Sequence, residues 1–160
     1  MAKNAVIIGA GNIGRGFIGQ IMYEGGYNVC YVDVSAPVVD ELNRRGEYPL
    51  EIVYSGGSDK ETIKNVSAVN GHDHDAAARA IADCDICVTC VGAKAIKYII
   101  PNFVLGVKLR FKEGKGPINL LICENLMDAD KYIHSLLEPE LTAEELETVG
   151  LVETSVGRMV

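Results

Sequence analysis

Gly9-Ala10-Gly11-Asn12-Ile13-Gly14 is the stretch that decides how this chain folds. Glycines spaced GxGxxG are common by chance, so their flanks carry the meaning. Upstream, Ala5-Val6-Ile7-Ile8 has the apolar, β-branched character of a buried strand. Downstream, Phe17, Ile18, Ile21 and Met22 recur at helical spacing until Gly25-Gly26, where a helix stops. The stretch therefore predicts a corner between a strand over 5–9 and a helix over 12–24. Gly9 permits the tight turn, Gly11 lets a diphosphate approach the backbone, and Gly14 lets helix lie close on strand. The helix start offers free N–H groups and partial positive charge to phosphates. Ile8, Ala10, Asn12 and Ile13 complete the predicted cradle. Arg15 adds charge near the diphosphate or reaches toward an anionic substrate. Gly16 and Gly19 continue a smooth helix face that predicts close backbone packing.

Working outward, Asp33 lies 19 residues after Gly14, at the end of a second predicted strand over 29–34. A carboxylate there accepts hydrogen bonds from an adenosine ribose diol and repels a 2′-phosphate. Val34-Ser35-Ala36 beside it supplies no arginine, so the reading is NAD over NADP, with Val34 lining the same end. Two further strand ends, Val91-Gly92 and Glu124-Asn125, fall where ligands bind in doubly wound sheets. Gly92 can pass close to the second half of the cofactor. Asn125 can hydrogen-bond nicotinamide or a substrate oxygen, although both positions also suit plain turn chemistry.

The remaining chain alternates short apolar runs with helical stretches, the pattern of βαβ units around a mostly parallel sheet. The fold class is α/β, one dinucleotide-binding domain over 1–160. Ser35 reads as an N-cap and Pro37 as a first-turn residue of a helix ending near Arg45. Residues 48–70 read as two or three strands, not all parallel. Helices are predicted over 75–82, 95–105 (kinked or begun near Pro101), 129–137 and 143–148. Strands are predicted over 85–91, 118–123 and 151–156, and 108–116 reads as an exposed connection.

Several classes of function are disfavoured. The net charge of −7 argues against nucleic acid or an anionic membrane as partner. No uncharged run approaches the roughly 18 residues of a membrane span. The N-terminal apolar run is too short for a signal peptide. Cys84, Cys87 and Cys90 have iron–sulfur spacing, but Lys94 stands where a fourth ligand belongs and the segment reads as a buried strand. No metal is expected, and the five unpatterned cysteines suit a reducing, cytoplasmic compartment. His72 and His74 precede a helix, where polar residues more often cap than ligate. The acidic run over 138–147 reads as a solvated face.

The block from Gly9 to Gly19 closely resembles the opening of the polyol-specific long-chain dehydrogenases. The likeness continues through Asp33-Val34, Asp40-Glu41-Leu42-Asn43-Arg44-Arg45 with Tyr48, Val91-Gly92, Cys123-Glu124-Asn125-Leu126, and Gly150-Leu151-Val152 with Arg158. Glu124, where relatives acting on free mannitol or hexuronates more often carry Asp, points to the sugar-phosphate branch. The resemblance implies reversible oxidation of D-mannitol 1-phosphate to D-fructose 6-phosphate with NAD. It also implies a general-base lysine in a C-terminal domain, and Asn125 as the residue here that lines the reaction centre. Gly157 departs from the family, which usually has Asp there. Met159-Val160 does not read as the end of a sealed domain, so a catalytic domain is expected beyond it and little activity without it. Open alternatives are a mannitol or a fructuronate/tagaturonate dehydrogenase, a non-catalytic NAD-sensing domain, and a methyltransferase using S-adenosylmethionine.

Overall fold

Strand β1 (Lys3–Ile8) shows why the middle of the sheet is apolar on both sides. Successive side chains of a strand point to opposite faces. Val6 and Ile8 enter one core with Ala77, Ile81, Phe103 and Ile133, while Ala5 and Ile7 enter a second with Ile18, Met22 and Leu42. A strand covered on both faces belongs in a parallel sheet clothed by helices. The computed structural model describes residues 2–157 and 160.

Six strands form that sheet: β1, β2 (Tyr27–Asp33), β5 (Val66–Asn70), β6 (Ile86–Thr89), β7 (Ile118–Ile122) and β8 (Val149–Glu153). All pairings are parallel, in the order β5-β2-β1-β6-β7-β8. Taken in chain order these strands run 3-2-1-4-5-6, so the direction of winding reverses between β1 and β6. The crevice at that reversal is where a doubly wound sheet receives its ligand.

The helices are α1 (Gly19–Glu24), α2 (Ala36–Arg45), α3 (His74–Asp83), α4 (Ile96–Lys112), α5 (Ala129–Leu137) and α6 (Ala143–Glu147). A π-helical turn, Gly14–Ile18, leads into α1. Residues 47–64 form a separate antiparallel hairpin of β3 (Glu47–Tyr54) and β4 (Gly57–Lys64). Of the two or three strands expected over 48–70, three are present, and only β5 joins the main sheet.

Three expectations need correction. Helix α4 runs unbroken through Pro101 to Lys112, past its predicted end at 105. Gly106 permits this, because a Cβ there would lie 2.5 Å from Ile81. The basic residues taken for a loop are the last helical turns, where cations complement the helix dipole. Arg110 among them donates to the carbonyls of Ala82, Cys84, Gly116 and Pro117. Strand β8 ends at Glu153, and Thr154 instead turns its hydroxyl onto the Ile122 carbonyl at 2.8 Å. Ser35 occupies the N-cap position without a hydroxyl cap; its backbone carbonyl accepts from Val38 and Val39. Among the described residues, no helix is long and apolar enough to cross a membrane.

Gly19 packs where the sequence implied close approach, but against side chains: a Cβ would overlap the hydroxyls of Tyr31 and Tyr48. Replacing Gly19 by Ala is therefore expected to destabilise the chain by about 1–3 kcal/mol through overpacking. Chemical denaturation followed by circular dichroism checks this; an unchanged midpoint refutes it.

Candidate dinucleotide-binding site

The corner after β1 is built by steric exclusion. Gly9 has φ +108°, and a Cβ there would sit 2.7 Å from the Cys90 carbonyl oxygen. A Cβ on Gly14 would overlap the Gly9 carbonyl oxygen, so helix and strand meet backbone to backbone. Gly11 differs. A Cβ there meets nothing within 4 Å, because that side of the residue faces open space at the crevice. The first helical hydrogen bond runs from Arg15 N–H to the Gly11 carbonyl. Amides at the start of the helix are thereby left for an external acceptor.

The following turn, Gly14–Ile18, is in π register, with Gly19 N–H donating to the Gly14 carbonyl. Two tyrosines add hydrogen bonds to carbonyls of this turn. Tyr48 hydroxyl donates to the Arg15 carbonyl at 2.7 Å. Having used its one proton there, it accepts from Tyr31 at 2.8 Å, with the Gly14 carbonyl 3.3 Å from Tyr31 as a second acceptor. Burial raises both hydroxyls above the usual tyrosine range, so both remain donors at neutral pH. Single-turn π segments inside helices recur at functional sites.

Asp33 reaches the corner from β2. Its Oδ2 accepts from Ala10 N–H and its Oδ1 from Ser35 N–H, both at 2.8 Å. Each oxygen keeps a further lone-pair direction for another donor. Arg15 folds back, its Nε donating to the Ala10 carbonyl at 2.6 Å, which keeps the cation beside the loop. Val34, 63% exposed, follows at the open edge.

On the far side of β1, Gly92 has φ +90° and begins the turn Ala93–Ala95. Glu124, just past β7, grips this loop: Oε1 accepts from Thr89 Oγ1 (2.6 Å) and Val91 N–H (2.8 Å), and Oε2 from Gly92 N–H (2.7 Å). Exposed Asn125 lines an adjoining cleft of about 650 Å³ with Ile13, Met127, Glu153 and Ser155.

The structure thus gathers Gly9 to Arg15, Asp33, Val34, Val91, Gly92 and Asn125 at the carboxyl ends of four strands. Ile8 underlies the corner from within. Its side chain is in the core and its carbonyl accepts from Cys90 N–H, so it forms the floor of the corner. Arg158 lies outside the described residues. Asp73 caps α3 through Ala76 N–H, and His74 bonds Asn102 at 2.6 Å. Cys87 and Cys90 enter opposite cores, and burial raises both thiols. Sequence reading missed Thr89 and the Tyr31–Tyr48 pair and gave Glu124 no structural task. A charged residue ending the apolar run over 118–123 was the available signal for the last.

This sheet order, with its side-chain-free corner at the reversal, defines a dinucleotide-binding Rossmann domain. Residues 3–160 match the mannitol dehydrogenase Rossmann domain family, and the chain belongs to that family. It is 35% identical to a mannitol-1-phosphate 5-dehydrogenase of Brevibacillus brevis, over 98% of this chain and 41% of that protein. It is 37% identical to one of Shouchella clausii, over 98% of this chain and 42% of that protein. The chain therefore spans about two fifths of the length of these curated relatives. Among solved structures it resembles Pseudomonas fluorescens mannitol 2-dehydrogenase in ternary complex with NAD and D-mannitol. The TM-score is 0.77 at 12% identity, over 94% of this chain and 40% of that one. A substrate-free D-sorbitol dehydrogenase gives TM-score 0.74 at 13% identity, over 91% of this chain and 40% of that one.

The corner glycines are expected to separate by substitution with alanine. Gly14→Ala should destabilise by about 2 kcal/mol or more, since backbone must move, while Gly11→Ala should stay within about 0.5 kcal/mol of the parent. Equal losses in parallel denaturation curves would contradict the open face at Gly11.

Proposed function

We propose that this chain binds NAD across the crevice and is the cofactor domain of an oxidoreductase interconverting D-mannitol 1-phosphate and D-fructose 6-phosphate. One observation carries the binding reading: at Gly11, between a helix start and the Asp33 carboxylate, the backbone faces open space that any Cβ would enter. A diphosphate fits there, held by amides rather than side chains. Asp33 has lone pairs left for a ribose diol, and its negative charge disfavours a 2′-phosphate.

When bound, NAD supplies a nicotinamide carbon that accepts or donates hydride. This chain's residues bind and orient. The amides after Gly11 receive the diphosphate, Asp33 the adenosine ribose, and Val91-Gly92 border the nicotinamide half. Asn125 offers its amide to the reacting oxygen. The substrate assignment is supported by 35–37% identity, over nearly the whole chain, to relatives named for that reaction. Catalysis needs a base held at the reacting hydroxyl and a surface that orients the sugar. Both belong to the remaining three fifths of such a protein, its C-terminal domain, which is also the partner this domain packs against.

Calorimetric titration is expected to show NAD binding tighter than NADP. Asp33→Ala should weaken NAD about tenfold or more and narrow that preference, because ribose acceptors and the Ala10 anchor go together. Equal affinity for the two dinucleotides in the parent chain would overturn the assignment. With NAD and mannitol 1-phosphate, the 160-residue chain should form no reduced nicotinamide above background, whereas the full-length protein should turn over. Turnover by the domain alone would overturn that division of labour.

A further inference from the structure

We infer that Glu124 is a positioning residue, whose carboxylate holds the Val91-Gly92 loop in the one arrangement that admits the nicotinamide half of the dinucleotide. The inference rests on the NAD reading above and assigns a task to a residue that touches no reacting atom.

Three donors from one neighbouring strand end converge on this carboxylate: Thr89 hydroxyl and the Val91 and Gly92 amides. Thr89 is fully buried, which fixes one leg of the tripod in the core. The loop it holds needs holding. Gly92 takes a left-handed φ, and its carbonyl at once accepts from Ala95 N–H, so the chain reverses within four residues. Without an acceptor at Glu124, two adjacent backbone donors at the lip of the crevice would be free to turn away.

In this chain both the carboxylate and its length matter. Glutamine has one acceptor oxygen, so its NH2 group would face one of the donors. Aspartate is shorter by one carbon–carbon bond, about 1.5 Å, which takes its oxygens out of reach of amides now at 2.7 and 2.8 Å. Location supplies the functional consequence. β2 and β6 flank β1 on opposite sides. Asp33 therefore serves the adenosine half of a dinucleotide, and the loop held by Glu124 serves the other half. Asn125, next in sequence, inherits its placement from the same anchor.

The test is calorimetric titration of the full chain, of Glu124→Gln and of Glu124→Asp, with NAD and separately with ADP as a probe of the adenosine half. Both variants should bind NAD about tenfold more weakly or worse, while ADP affinity stays within about twofold of the parent. Amide hydrogen exchange at Val91 and Gly92 should accelerate in both, with little change across β1. NAD affinity equal to the parent's overturns the proposal, and so does an equal loss for NAD and ADP, which marks general damage. Should Glu124→Gln fail to fold, Thr89→Val removes one leg while keeping the carboxylate. It should weaken NAD about threefold and leave ADP unaffected; no difference between the two ligands overturns the proposal. A parent chain that binds neither ligand refutes the dinucleotide reading itself, a failure distinct from a variant that binds like the parent.

Discussion

The carbonyl oxygen of Gly9 fills the space that a side chain on residue 14 would need. That contact brings the helix start onto the end of β1 and aims its first amides into the crevice. Other features of this half of the molecule follow from how closely the backbones lie. Gly9 itself is pressed against the Cys90 carbonyl, which ties the corner to β6. The helix then passes through a π turn, two of whose carbonyls accept from a buried pair of tyrosines, one from the central sheet and one from the hairpin. These hydrogen bonds make the tyrosines part of the corner, tying sheet and hairpin to the helix start. Gly19 leaves them room.

An acidic chain that receives a dianionic diphosphate looks contradictory until charge is resolved by location. The net charge of −7 is spread over the surface, whereas the corner presents main-chain N–H groups and Arg15, tethered by its Nε to the Ala10 carbonyl. The two carboxylates nearest the crevice are both engaged. Asp33 and Glu124 each accept backbone amides at 2.7–2.8 Å, so their negative charge acts first as a structural tie. Hydrogen bonds to charged groups are the stronger kind, roughly 1.5–3 kcal/mol each. They suit loops that have no ladder of their own.

Much of this was legible in the residues, for local reasons. The strand–glycine–helix corner, the helix over 12–24, the helix over 129–137 and the carboxylate at the end of β2 each declare themselves within a short window. Tertiary support is less visible. Helix α4 passes Pro101 and continues through Lys108 and Arg110 because Gly106 fits against Ile81 and Arg110 finds the carbonyls of Ala82 and Cys84, 28 and 26 residues away. Thr89 and Glu124 are 35 residues apart, and Tyr31 and Tyr48 are 17 apart. No period or spacing announces such pairs. Ser35 shows the converse: the residue type suits a cap, but the neighbouring Asp33 takes its amide and its hydroxyl makes no cap bond.

The donors that Asp33 and Glu124 engage at residues 10, 91 and 92 belong to the main chain. Every amino acid except proline carries that donor, so the ties are indifferent to which side chain sits at 10 or 91, with only 92 confined to glycine by its φ. The shape of the crevice is in this sense uncoupled from the chemistry of its walls. Exchange at 91 can therefore alter the lining while the frame stays put, whereas Ala10, buried in the core beside Ile7 and Ile18, is held small by its packing.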